Sequence, residues 1–321
     1  MSTSRDRDPL QSRPIAVVGA GAVGCYFGGM LARAGARITF IGRPRQVDAM
    51  NRNGLSIESA RFNERIPVSA STEIEAAREA AVVLVCVKTP DTEEAARSLA
   101  PHLANGALVV SLQNGVDNVD RIRAVADIDV VPAAVYVSAE LTAPGTVKHA
   151  GRGDLVIGDL PPSDPGDEAR PRRLEHVASL FERAAVPCRV STNIEAELWA
   201  KLIMNCAYNA ISALSRSRYG RIAENPATRA IVQQVIEEAL AVARAAGVRV
   251  TDVDLAESAW RLAESMPEAL SSTAQDIGRG KRTEIDSLNG FVARRGTELG
   301  IPTPVNQTLY GLVRLLEEDG L

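Results

Sequence analysis

Short apolar runs alternate with stretches of helical spacing along the first half of the chain. The runs 15–18 (IAVV), 37–41 (RITFI), 81–87 (AVVLVCV) and 107–112 (ALVVSL) are rich in β-branched residues and read as strands. Segments of helical character open near Ala22, Thr92 and Asn118 between or after them. This alternation is the pattern of a parallel sheet covered by helices. Further on, 130–137, 146–149 and 155–158 read as shorter strands, with Pro144-Gly145 as a turn, and predict an antiparallel edge. A Pro-, Asp- and Gly-rich stretch, 160–171, is expected to be a surface loop ahead of a helix over 172–184.

From about Asn193 the strand signal ends. Apolar residues recur at helical spacing over 194–214, 227–246, 255–266, 284–299 and 305–318, with Gly247 and Gly300 as expected helix stops. No period of repeat length is visible, which sets aside solenoids and propellers. The chain therefore reads as α/β: a polar tail over 1–14, a Rossmann-type domain with a mostly parallel sheet over 15–192, and an all-helical domain over 193–321.

Composition changes this picture little but narrows the partners. With 321 residues, 45% of them hydrophobic and 24% charged, the chain can bury two cores. A net charge of −4 offers no overall positive field, so neither nucleic acid nor an anionic membrane surface is an expected partner. No apolar run is long enough to span a bilayer, and the opening residues lack an apolar stretch of the signal-peptide kind, so a cytoplasmic location is expected. Cys25, Cys86, Cys188 and Cys206 stand far apart and read as reduced core thiols; His102, His149 and His176 fall in unrelated segments, and no metal site is expected.

The first chemical signal is Gly19-Ala20-Gly21-Ala22-Val23-Gly24, a GxGxxG placed directly after the strand at 15–18 and before a helical segment. There the first glycine allows the turn, the second lets the backbone approach a pyrophosphate, and the third, with Gly28 and Gly29, lets helix and strand come together. Unpartnered N–H groups at the helix start then hold phosphate. Where an NAD site usually carries a carboxylate, at the end of the second strand, the chain reads Ile41-Gly42-Arg43-Pro44-Arg45. A carboxylate would repel a 2′-phosphate whereas Arg43 can pair with one, so NADPH is favoured over NADH. The alternative is that Arg43 and Arg45 are solvated loop charges.

Lys201, Asn205 and Asn209 are spaced by four and share one helix face. They form a polar stripe beside Trp199, Leu202, Ile203, Cys206, Ala210 and Leu214. Such asparagines need partners, which either a bound hydroxy acid or an interhelical network with Lys201 reaching water could provide. Lys88 and Asn114 follow the third and fourth strands, the ends at which open α/β sheets bind ligands, although a strand-end lysine is often simply solvated.

Taken together, GAGAVGCYFGG at Gly19, VKT at Val87, LQNG at Leu112, WAKLIMNCAYNAISAL at Trp199 and SSTAQDIGRGKRTEID at Ser271 resemble the ketopantoate reductases (2-dehydropantoate 2-reductases) of pantothenate biosynthesis. The resemblance covers nearly the whole chain and implies NADPH-dependent reduction of 2-dehydropantoate to pantoate. It implies that Lys201 is the general acid and that Asn205, Asn209 and Ser272 bind substrate. By the same resemblance Lys88 helps to hold the cofactor, while Asn114 lies near both the nicotinamide ribose and the substrate. Glu284 would lie by the nicotinamide and the lysine; it could also be an acid at the start of the helix expected from there. Ser271-Ser272 could equally be a helix N-cap. Two rival functions are reduction of a different 2-oxo acid and a non-catalytic NADP-binding sensor. The resemblance leans towards a homodimer.

Overall fold

A computed structural model describes residues 14–160, 168–250 and 254–320; the expected tail, apart from its last residue, and 161–167 of the expected loop lie outside these. The chain divides into two compact units: Met1–Gln113 with Asp117–Ile194, and Asn114–Val116 with Glu195–Leu321.

The first unit is built on a ten-stranded sheet. Its strands are β1 (Ile15–Val18), β2 (Ile38–Ile41), β3 (Leu55–Ser59), β4 (Asn63–Ile66), β5 (Ser69–Ser71), β6 (Val82–Val85), β7 (Leu108–Ser111), β8 (Val130–Ala143), β9 (Thr146–Gly158) and β10 (Cys188–Ser191). They run in the order β4-β3-β9-β8-β7-β6-β1-β2-β5, with β10 also paired to β9. Among the described residues only the β3–β4 and β8–β9 pairings are antiparallel. Its helices are α1 (Ala22–Arg33), α2 (Pro44–Asn53), α3 (Thr92–Leu99), α4 (Asn118–Val125) and α5 (Arg170–Arg183).

The apolar runs of β1, β6 and β7 follow from burial on both faces. Ile15 and Val17 enter one core with Phe27, Phe40, Leu84 and Phe181, while Ala16 and Val18 enter a second with Val83, Val85, Leu99 and Ile122. A strand covered on both sides has no solvent face and so no polar alternation.

The expected antiparallel edge is corrected. The segments 130–137, 146–149 and 155–158 belong to two long strands, β8 and β9, and β9 pairs onward with β3 and β10, so the hairpin lies inside the sheet. Register shifts at Tyr136/Val137, Ser138/Ala139 and Leu141/Ala143 interrupt the period of two, which hid the continuity of the backbone. The turn at Pro144-Gly145 is present, with Gly145 at φ 71°.

The second unit is helical: α6 (Ile194–Ser215), α7 (Tyr219–Glu224), α8 (Pro226–Ala245), α9 (Leu255–Ser265), α10 (Ser272–Gly278), α11 (Asn289–Leu299) and α12 (Pro304–Gly320). Its core joins Trp199, Leu202, Ile203 and Cys206 of α6 to Val232, Val235, Ile236, Ala239 and Val242 of α8, each set at the spacing that fills one helix stripe, and Tyr208 enters the same core from another face of α6. The starts are capped locally: the Asn225 side chain accepts from Ala227 N and Thr228 N, and Asp254 accepts from Glu257 N. Gly300 ends α11 in the left-handed conformation. No described helix is long and apolar enough to cross a membrane.

Candidate active site

In the first unit the GxGxxG segment turns β1 into α1. Gly19 has φ +103°, and its N–H donates to Ile41 O at 2.9 Å, tying the turn to β2. A Cβ at Gly19 would stand 2.7 Å from backbone atoms of Cys86 and Val87, and one at Gly24 would run into Gly19 O, so the turn and the helix start lie against neighbouring backbone. Gly21, the N-cap of α1, is different: a Cβ there would meet nothing within 4 Å. Beside this open position the first-turn N–H groups of Ala22, Val23 and Gly24 have no acceptor within the helix by its geometry. Together they form a cradle suited to phosphate.

Arg43 is exposed at the N-cap position of α2, two residues after the end of β2, with Pro44 at the first helical position. Lys88 is half-buried three residues beyond β6, directly ahead of a 3₁₀ turn over Thr89–Asp91. The strand ends here are braced by a buried polar network. The Gln113 amide donates to Val87 O at 3.0 Å and to Thr92 Oγ1 at 2.7 Å, and its Oε1 accepts from Ser111 Oγ at 2.9 Å. Thr92 Oγ1 donates onward to Asn118 Oδ1 at 3.2 Å.

In the second unit, Lys201 projects from α6 and its Nζ donates to Asn114 Oδ1 at 2.9 Å. The other end of the same amide, Asn114 Nδ2, donates to Glu284 Oε2 at 3.0 Å. Cation, amide and carboxylate thus form one half-buried chain, with Asn114 reading the lysine through its acceptor and the glutamate through its donor. Two turns further along α6, buried Asn209 donates to Ser272 Oγ at 3.4 Å. Asn205, half-buried between them, has no side-chain hydrogen bond among the described residues.

Of the residues expected from sequence, the second unit brings together Lys201, Asn114 and Glu284, and separately Asn209 and Ser272; the glycine loop, Arg43 and Lys88 belong to the first unit. The two serines divide their work: Ser271 is the N-cap of α10, accepting from Ala274 N at 3.0 Å, while Ser272 is exposed. Glu284 does not open a helix. It precedes a 3₁₀ turn over Ile285–Ser287, and α11 begins only at Asn289. The Thr283 N–H is taken by Glu317 Oε1, 34 residues on, at 2.6 Å, and the Thr283 hydroxyl accepts from Ile285 N at 3.2 Å.

All four cysteines are thiols, three buried and Cys86 only half-buried. Burial pushes Cys188 up to about 12 and raises Cys206, beside Asn205, above the ordinary thiol range. These thiols stay protonated near neutral pH and are poor nucleophiles. Sequence reasoning missed Gln46 and Gln113. Gln113 stands inside the LQNG motif, but the partners that give it meaning lie on other elements.

The family model described as ketopantoate reductase PanE/ApbA matches residues 15–162, and its C-terminal counterpart matches 193–317. A 2-dehydropantoate 2-reductase of Pyrococcus abyssi is 34% identical over 300 residues, covering 94% of this chain and 96% of the relative. A crystal structure of a PanE/ApbA family ketopantoate reductase from Ralstonia eutropha is 48% identical, with a TM-score of 0.88 over 96% of this chain and 99% of that one. D-mandelate dehydrogenase in a ternary structure with NADH and anilino(oxo)acetate, at 22% identity, shares the fold with a TM-score of 0.88. On this evidence the chain belongs to the ketopantoate reductase family of nicotinamide-dependent oxidoreductases.

Proposed function

We propose that this chain reduces 2-dehydropantoate to pantoate with NADPH, Lys201 acting as the general acid. The observation that carries the reading is the chain of hydrogen bonds from Lys201 through Asn114 to Glu284. It holds an ammonium in a fixed direction, as a proton donor for ketone reduction requires. The residues of the first unit fit the cofactor. The open face at Gly21 leaves room for a pyrophosphate, and exposed Arg43 stands where a carboxylate would otherwise reject a 2′-phosphate.

NADPH, when bound, supplies the hydride that is added to the ketone carbon. Lys201 Nζ gives a proton to the oxygen on which charge develops, so that the carbonyl becomes a hydroxyl, and the lysine regains its proton from solvent. Asn114 keeps the ammonium directed, and Glu284 balances its charge through the amide. Asn205, Asn209 and Ser272 offer donors to the carboxylate and hydroxyl of the substrate, and Lys88 joins the cofactor contacts.

The test is NADPH oxidation followed by absorbance, with 2-dehydropantoate, a panel of other 2-oxo acids and an NADH control. Turnover confined to 2-dehydropantoate is expected. Turnover on another 2-oxo acid would keep the chemistry and move the substrate, and cofactor binding without oxidation would point to a sensor. Arg43→Ala is expected to weaken NADPH binding about ten- to a hundredfold, one charged hydrogen-bonding group, while leaving NADH unchanged. Equal losses with both cofactors in a titration would make Arg43 structural. Homodimer formation is part of the proposal and is checked by sedimentation velocity.

A further inference from the structure

One peptide of the glycine loop is held by side chains from two helices. The Ala20 carbonyl accepts from Gln46 Nε2 at 3.0 Å and from the Cys25 thiol at 3.4 Å. Gln46 stands in the first turn of α2, where its backbone N–H donates to Arg43 O at 2.9 Å, and Cys25 belongs to α1. The amide of Gln46 is used at both ends, because its Oε1 accepts from Gly145 N, at the tip of the β8–β9 hairpin, at 2.9 Å. A third neighbour closes on the same residue: a Cβ at Gly42 would lie 2.7 Å from Ala20 Cβ. Burial pushes the Cys25 thiol up to about 12, so it remains a donor at neutral pH.

The peptide bond is planar and trans, so its C=O and the following N–H point in opposite directions. Drawing the Ala20 carbonyl towards Gln46 and Cys25 therefore turns the Gly21 N–H away from them. Gly21 is also the position where the loop leaves open space. The carboxamide donates to Ala20 O and accepts from Gly145 N with one planar group; a carboxylate would set a second acceptor against the carbonyl.

We propose that Gln46 is a positioning residue for cofactor binding, fixing the Ala20–Gly21 peptide so that the glycine loop presents its N–H groups to the pyrophosphate. This rests on the reading that the loop cradles a nicotinamide dinucleotide. It divides the first turn of α2 in two. Arg43 discriminates between NADPH and NADH, whereas Gln46 serves the part that both cofactors share.

The experiment compares wild type with Gln46→Glu, nearly isosteric but lacking the donor, and Gln46→Leu, lacking both functions. Folding is checked by circular dichroism and thermal melting. Dissociation constants are measured for NADPH and NADH, together with the inhibition constant of adenosine 2′-monophosphate, which has the 2′-phosphate and no pyrophosphate. Both variants are expected to bind NADPH and NADH about tenfold more weakly, by the same factor, with adenosine 2′-monophosphate and kcat at saturating NADPH unchanged. If Gln46→Leu does not fold, Gln46→Glu carries the comparison. Unchanged affinity for both dinucleotides in Gln46→Glu would overturn the proposal. So would a parallel loss for adenosine 2′-monophosphate, which would assign the effect to α2 as a whole. A wild-type protein that binds neither dinucleotide would overturn the cofactor reading itself, before any variant is compared.

Discussion

Lys201→Ala is expected to lower kcat by about 10²- to 10⁴-fold while leaving the dissociation constant of NADPH and the melting temperature close to wild type. The size follows from what is removed. Adding a hydride to a ketone leaves negative charge on oxygen, and without the ammonium that oxygen must take its proton from water. Lys201→Arg separates charge from proton supply, because guanidinium keeps its positive charge but does not give up a proton in this range. It is expected to recover only a small part of the lost rate. Steady-state kinetics with a parallel NADPH titration decide the matter, and wild-type kcat in Lys201→Ala would remove this residue from the role of acid.

The second large effect separates two glycines of one loop. Gly19→Ala is expected to destabilise the protein by about 3 to 6 kcal/mol, since alanine at a positive φ is strained and its methyl would press on backbone rather than on a movable side chain. The contacts at issue are the 2.7 Å approaches to Cys86 and Val87. Gly21→Ala is expected to fold as wild type, because its Cβ would meet nothing within 4 Å and its φ of −82° suits any residue. Its methyl would nevertheless stand where a pyrophosphate must approach, and NADPH affinity is expected to fall at least about tenfold. Thermal melts and cofactor titrations of the two variants distinguish a residue needed for the fold from one needed for the ligand. Normal NADPH binding by Gly21→Ala would place the phosphates elsewhere.

The parts of the fold visible in sequence were those where one element's burial writes its own pattern. Buried on both faces, β1, β6 and β7 appear as IAVV, VVLV and LVVS, and α6, α8, α9, α11 and α12 of the second unit appear through their apolar stripes, while the short helices α7 and α10 do not. The hairpin of β8 and β9 was legible only in pieces, since register shifts and the left-handed residues Arg152 and Gly153 break its alternation. Short strands β3, β4 and β5 left too little pattern to read, and so did helix α2.

The candidate site divides in the same way. Spacing by four was enough to put Lys201 and Asn209 on one face of α6. The bond from Lys201 to Asn114, 87 residues away, is a product of tertiary structure, and only the family resemblance had put those residues near one another. Glu284 was expected at a helix start because nothing in RTEID itself reveals that Glu317 takes the preceding N–H. Gln46 left no signal, since its significance lies in partners on two other elements.

The three residues Asn114–Val116 group with the helical unit although the residues on both sides of them group with the sheet unit. The consequence concerns how the chain can be cut. A fragment starting at Glu195 contains every helix from α7 onward and nearly all of α6, yet it leaves behind the amide that links Lys201 to Glu284 and the Val116 side chain that packs against the helical core. Mixing two fragments split near residue 194 would have to restore an internal loop as well as a junction. The helical unit is therefore a poor candidate for transplantation onto another nucleotide-binding domain unless the LQNG loop travels with it.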